Sequence, residues 1–78
     1  MFVKLTNATP DYKGTEILIN TDSILSINTG PVERTRQDGT VYTEIVTFVY
    51  CPPHGTWEVS ETLDQFLEKI NVKKGIFK

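Results

Sequence analysis

The chain has 78 residues, a formal net charge of −2, one cysteine and one histidine. This length predicts one small domain, residues 1–78, whose single core gives modest stability, so oligomerisation would be a natural supplement. One cysteine excludes an intrachain disulfide framework and suits a reducing compartment, and the acidic balance argues against a wholly basic nucleic-acid binder. Because the first residues contain no long apolar run, we expect a cytoplasmic protein without membrane insertion.

The first part of the chain predicts three short strands separated by turns. Residues 2–6 alternate apolar and polar side chains, and residues 15–20 carry apolar side chains on both faces, which is typical of a fairly central strand. Residues 7–14 contain Asn, Pro, Asp and Gly and predict a loop. The Thr-Asp-Ser sequence at 21–23 favours a tight turn, so residues 24–28 predict the third strand.

Residues 29–39 are the least regular segment of the sequence. The Gly-Pro pair at 30–31 is expected to break any strand, and the Asp-Gly pair at 38–39 is a strong turn signal. We therefore expect a hairpin whose tip carries Arg34 and Arg36.

Residues 40–51 predict the longest strand, and the proline pair that follows should end it, because proline cannot donate to a strand ladder. Residues 56–59 alternate again and predict the last strand, after which the period changes to that of a helix. Thr62 and Gln65 fit a capping box at the start of this helix. Four apolar residues share one predicted face of it: Leu63, Phe66, Leu67 and Ile70.

Strands joined by short turns and followed by one helix predict an α+β fold. We expect a curled antiparallel meander of about five strands, barrel-like in its curl, with one C-terminal α-helix packed on it. A basic tail, residues 72–78, follows the helix and either frays or docks on a neighbouring molecule.

Cys51 and His54 are three residues apart and are the first candidates for a chemical site. A zinc ion needs about four ligands, and the sequence has no second cysteine or histidine. A Cys–His nucleophile pair needs direct contact between the two side chains, which two intervening prolines disfavour. We therefore expect no catalytic residue, no metal and no cofactor.

The candidate partner-binding residues are Arg34, Arg36, Tyr42 and Tyr50. Together with other aromatic residues they would form a sheet face on which bases stack and arginines contact phosphates. The simpler interpretation is that the tyrosines are ordinary strand residues and that the arginines lie at a solvated hairpin tip or contact a protein partner. The negative net charge favours the simpler interpretation.

Several short sequence pieces, and their order along the chain, are shared with a known group of small proteins. They are Val3-Lys4-Leu5-Thr6, Ile17-Leu18-Ile19-Asn20, Asp22-Ser23-Ile24 with Ile27, Trp57-Glu58-Val59, and Glu61-Thr62 through Glu68-Lys69-Ile70. In this order the chain resembles the FlbD-type small flagellar proteins of bacteria, or a phage or accessory relative on the same scaffold. That resemblance implies a small non-enzymatic cytoplasmic protein that acts through protein contacts.

Taken together, these observations predict a protein–protein interaction or assembly module that binds a protein partner of unknown identity. It would form a homo-oligomer through a sheet edge or through the tail. The alternative is a small nucleic-acid-binding or regulatory β-protein that uses an Arg/Tyr sheet surface.

Overall fold

The computed structural model describes residues 1–74, with the side chains of the C-terminal helix described up to Ile70. It confirms the predicted α+β class, with five antiparallel strands and one C-terminal helix. The strands form two sheets, of two and three strands, and no closed barrel forms within the described residues. The elements in chain order are β1 (Phe2–Thr6), β2 (Glu16–Asn20), β3 (Ser26–Thr35), β4 (Val41–Cys51), β5 (Gly55–Val59) and α1 (Leu63–Lys74). Single 3₁₀ turns occupy Pro10–Tyr12 and Thr21–Ser23.

The third strand is twice as long as the sequence predicts, because Gly30-Pro31 does not end it. β3 pairs with β4 without interruption from Ser26 opposite Tyr50 to Thr35 opposite Val41. At the turn, the Arg36 amide donates to the Thr40 carbonyl at 2.8 Å. Hydrogen-bonded and non-hydrogen-bonded pairs alternate in an antiparallel ladder. The backbone N–H and C=O groups of the even-numbered residues of β3 therefore point toward β4, and those of the odd-numbered residues point away from it.

Pro31 therefore occupies an outward-facing position on an edge strand, where its missing N–H removes no ladder bond. Gly30 lies under the ring of Phe48, so that a β-carbon there would meet a ring carbon at 3.2 Å. Gly30-Pro31 therefore fits within this strand, because Gly30 leaves room for the Phe48 ring and Pro31 stands where the ladder needs no N–H. As a result, the loop of the hairpin shrinks to the few residues between Thr35 and Val41.

The two sheets are joined where β1 meets the end of β5. Asn7 forms a bridge with Val59, and the Ser60 amide donates to the Thr6 carbonyl at 2.9 Å. Glu61 extends this junction, because its carboxylate accepts from the Thr6 amide and hydroxyl, both at 2.9 Å. These contacts tie the N-terminal hairpin to the segment that leads into α1.

The core lies between the two sheets and α1. Its buried members are Val3, Leu5, Ile19, Val49, Cys51, Val59 and Phe66, which come from four strands and the helix. They are brought together from both ends of the chain, so no short segment has a core of its own.

The helix begins as predicted but buries less of its apolar face than expected. The capping box is confirmed, since the Thr62 amide donates to Gln65 at 2.9 Å and the Gln65 amide donates to Thr62 at 3.0 Å. Phe66 is 6% exposed, whereas Leu67 is 40% exposed. The prediction that four residues share the packing face was therefore wrong for Leu63 and Leu67, because α1 lies at the margin of a small core. Part of the predicted basic tail continues α1 to Lys74, and residues 75–78 lie outside the described residues.

The molecule is elongated, measuring 46 × 25 × 19 Å. Its radius of gyration is 13.7 Å, against about 11.5 Å for a compact chain of this length. The register explains the shape, because β5 pairs only with Thr47 to Cys51 of β4. We call the remaining part of the β3–β4 hairpin, residues 30–46, the distal hairpin.

Candidate interaction surface on the distal hairpin

The structure brings together three of the four predicted partner-binding residues. Arg34 lies directly opposite Tyr42 in the β3–β4 ladder, and Arg36 lies two residues beyond Arg34, at the turn. Tyr50 is eight residues along β4 from Tyr42, which places it about 26 Å away at the usual rise of a strand. The four residues therefore do not form one surface.

Arg34 is engaged inside the molecule. Its Nε donates to Glu44 at 3.1 Å, and its Nη2 donates to Glu58 at 2.7 Å and to the Ala8 carbonyl at 3.2 Å. Its side chain is only 10% exposed. The hydrogen bonds to Glu58 and then to Glu44 raise the pKa of Arg34 above its ordinary value. Arg34 is positioned to brace the hairpin, and a phosphate would have to displace these partners.

The partners of Arg34 were missed by reasoning from sequence. Glu44 carries a weak signal, because opposite charges flank a predicted hairpin turn. Glu58 carries none, since it reaches Arg34 only after β5 folds back along β4. The Arg34 and Lys13 hydrogen bonds, in that order, hold the pKa of Glu44 below its ordinary value. Lys13, at 3.1 Å from Glu44, brings the loop after β1 onto this face.

The turn of the hairpin is ordered by its own side chains. Asp38 accepts from the Thr40 amide at 3.0 Å and from its hydroxyl at 2.7 Å, which lowers the pKa of Asp38. Gly39 has a φ of +90°, which glycine adopts without strain. The Arg36 guanidinium lies 4.1 Å from the centre of the Tyr42 ring, a cation–π contact. One face of Tyr42 is thereby covered, and a stacking base would have to compete with Arg36.

The opposite face of the distal hairpin is uncovered. Val41 is 60% exposed and Ile45 is 64% exposed. Across the strands, Val41 is opposite Thr35 and Ile45 is opposite Pro31, while Thr43, between them, is opposite Glu33. Val41 and Ile45 are thus two separate apolar side chains on one exposed face, four residues apart along β4.

The same stretch of β4 also presents an open backbone edge. Because the even-numbered residues of β4 bond to β3, Val41, Thr43 and Ile45 direct their N–H and C=O groups to the other side. β5 pairs with β4 only as far as Thr47, so within residues 1–74 no strand pairs with this edge. An unpaired edge with apolar β-branched residues is a template for another strand.

The other edges are protected to different degrees. Pro31 removes one outward donor from the middle of β3. On β1, the Lys4 carbonyl accepts from Lys69 Nζ at 2.8 Å, and Thr6 is bound by Glu61. β2 has an unpaired outer edge in the described chain, but it is only five residues long.

Two hollows lie away from the distal hairpin. An open groove of about 590 Å³ runs between β1, β2 and α1, and a smaller one of about 160 Å³ lies beside Trp57. Cys51 and His54 both line the smaller one, but Cys51 is buried and its burial raises the pKa of the thiol, so the reactive thiolate is disfavoured. The described residues contain no group of three metal-ligating side chains.

Comparison of the chain with protein-family models, with curated proteins and with solved structures found no match. The resemblance to the FlbD-type proteins therefore stays a prediction. In the part of the chain that the structure describes, no helix has the length and apolar character needed to cross a membrane.

Proposed function

We propose that this protein is a small, non-enzymatic, cytoplasmic interaction module that binds another protein chain along the open β4 edge of its distal hairpin. The observation that supports this most is the coincidence of an unpaired backbone edge with two exposed apolar residues, Val41 and Ile45. In strand addition, main-chain hydrogen bonds supply affinity and alternate side chains supply specificity. Both features are present in the same few residues.

The bracing of the opposite face supports the same role. Arg34 connects β3 to Glu44 on β4 and to Glu58 on β5, so that the hairpin is held even where β5 no longer pairs with it. A strand edge that is ordered before binding loses less conformational entropy on binding than a flexible loop does. The ion pairs of Arg34 with Glu44 and Glu58 would thus hold the β4 edge in place for binding and would not contact the partner themselves.

Affinity capture with matched variants tests this proposal. Thr43→Pro removes an outward amide from the β4 edge, and Glu33→Pro removes one from the β3 edge on the same rung of the ladder. We expect wild type and Glu33→Pro to retain a specific protein that Thr43→Pro loses. In the recovered complex, amide exchange should slow at Val41, Thr43 and Ile45. Equal capture by all three proteins, or no specific capture by a chain that is also monomeric, would contradict the proposal.

The nucleic-acid alternative has less support. Arg34 is occupied by two carboxylates, Arg36 covers Tyr42, and Tyr50 is far along the strand. Titration of a labelled single-stranded oligonucleotide at two salt concentrations distinguishes the alternatives. Binding that weakens steeply with salt would indicate phosphate contacts and favour the alternative. We expect no such binding.

A further inference from the structure

The sequence of the open edge is complementary to itself. We infer that the chain which occupies it is a second copy of this protein, and that the two β4 strands pair antiparallel around a twofold axis at Thr43. This inference rests on the proposed function and names its partner. It is carried by the register of the β3–β4 ladder and by the residues that this register places at the edge.

The hydrogen-bond pattern allows this pairing. A twofold axis at Thr43 puts Thr43 opposite Thr43 of the second copy and Val41 opposite Ile45 of the second copy. All three are odd-numbered residues whose N–H and C=O groups already point away from β3. Antiparallel hydrogen-bonded pairs exchange two bonds each, so three pairs give about six bonds. A register shifted by one residue would set outward groups against residues that are already bonded.

The side chains match in the same register. On the uncovered face, Val41 meets Ile45 of the second copy and the two threonines meet each other, and both kinds of cross-strand pair are favourable. On the other face, which carries Arg34, Tyr42 lies opposite Glu44 of the second copy. No like charges stand directly opposite one another within the five paired residues.

The length of the open edge also fits. β5 covers β4 from Cys51 to Thr47, which leaves residues 41–46 available. Antiparallel pairing around Thr43 uses residues 41–45 of each copy, so the paired segment ends two residues short of Thr47, where β5 begins to pair with β4. The two cores then lie at opposite ends of a four-stranded sheet formed by the two hairpins.

The unpaired edge of β2 fits a second copy less well. Its Glu16 forms an ion pair with Lys4 at 3.6 Å, so charge lies at the margin of the edge. His54 and Trp57 line the hollow of about 160 Å³ together with residues of β2. Charged residues at an edge are a common protection against pairing.

Sedimentation equilibrium provides the first test. The paired segment is short, so we expect a transient interface and a mass that rises from 8.9 kDa toward twice that value with concentration. The range to sample is about 1 μM to about 1 mM, where small interfaces dissociate. Thr43→Pro should weaken the dimer at least about tenfold, since it removes hydrogen bonds at the twofold axis. Glu33→Pro should leave the dimer unchanged.

Disulfide trapping tests the register. Thr43→Cys places two sulfurs opposite one another at the axis, within the reach of a disulfide. Val41→Cys lies on the same exposed face, but the two copies of residue 41 are about 14 Å apart in this register. Under mild oxidation we expect rapid covalent dimers of Thr43→Cys and only slow ones of Val41→Cys. Equal rates would overturn the register.

The outcomes separate this inference from the proposed function. A chain that stays monomeric, or a dimer that Leu18→Pro on β2 abolishes and Thr43→Pro does not, overturns the self-pairing. If capture still recovers a protein that needs Thr43, the edge binds a different chain and the proposed function stands. If the chain is monomeric and capture also fails, both are wrong.

Discussion

The two ends of β4 belong to one strand and have similar sequences, yet their surroundings differ. Val49 and Cys51 are 0% and 3% exposed, whereas Val41 and Ile45, on the same face, are 60% and 64% exposed. The inner end is covered by β5 and by core residues of the other elements, while among the described strands the outer end pairs with β3 alone. Burial along this strand is therefore set by the neighbouring elements, and the outer end stays exposed.

The largest expected effect concerns the element that covers the inner end. Phe66→Ala removes a buried ring of the helix and should lower the free energy of unfolding by about 3–5 kcal/mol. Leu67→Ala, at the next position but 40% exposed, should cost less than about 1 kcal/mol. Chemical denaturation measures both. Similar losses for the two variants would mean that α1 packs through a different face.

The next prediction compares the two ends of β4 directly. Val49→Ala should lower the free energy of unfolding by about 2–3 kcal/mol, because the side chain is fully buried. Val41→Ala should change it by less than about 0.5 kcal/mol in the monomer. Denaturation at low protein concentration keeps association from contributing. If Val41→Ala were as costly as Val49→Ala, the distal hairpin would be covered in the monomer.

Removing Arg34, which ties the distal hairpin to Glu44 and Glu58, should have an intermediate effect on stability. Arg34→Ala leaves Glu44 and Glu58 facing each other without the cation between them. We expect a loss of about 2 kcal/mol, between the values for buried and exposed ion pairs. Lys13→Ala, whose side chain is 56% exposed, should cost less than about 0.5 kcal/mol.

Amide exchange shows where that loss falls. In Arg34→Ala, exchange should accelerate in the distal hairpin and remain slow in the inner half of β4, because only the distal part depends on the brace. Uniform acceleration along the whole strand would show that Arg34 stabilises the entire domain and not the hairpin alone.

The smallest effect is expected from acid. The pKa of Glu44 is lower in the folded state, mainly because Arg34 and then Lys13 bind its carboxylate. Its stabilisation is therefore complete above the unfolded pKa of about 4.3 and is lost as the pH falls through the lower folded pKa. Glu44→Gln should show a shallower loss of stability between about pH 5 and pH 3 than wild type. Parallel curves for the two proteins would remove Glu44 from the acid response.

Several elements could be predicted from sequence because their signals are local. The capping box formed by Thr62 and Gln65 depends on residues three apart, and the Asp38-Gly39 turn depends on adjacent ones. The prediction that Gly30-Pro31 breaks the strand was wrong because the outcome depends on residues far away in the chain. Whether a proline breaks a strand depends on which way its N–H would point, and that direction is known only once the partner strand and its register are known.

The candidate site was predicted less well than the fold. Arg34, Arg36 and Tyr42 do lie on the distal hairpin, but the structure engages them with one another or with acidic partners. The residues that the structure leaves open, Val41 and Ile45, share their strand face with the buried Val49 and Cys51. Apolar alternation predicts that a face is suited to burial, and it does not say whether anything covers that face.

By itself, the sequence determined the strand and helix periods, the main turns and the α+β class, because these follow from contacts between residues close in the chain. Tertiary structure alone decided which half of β4 is covered and which edge stays open. Those outcomes depend on distant partners: Glu58 lies 24 residues from Arg34, and Glu61 lies 55 residues from Thr6. Side chains so far apart meet only when the sheets have assembled, so local patterns could not reveal them.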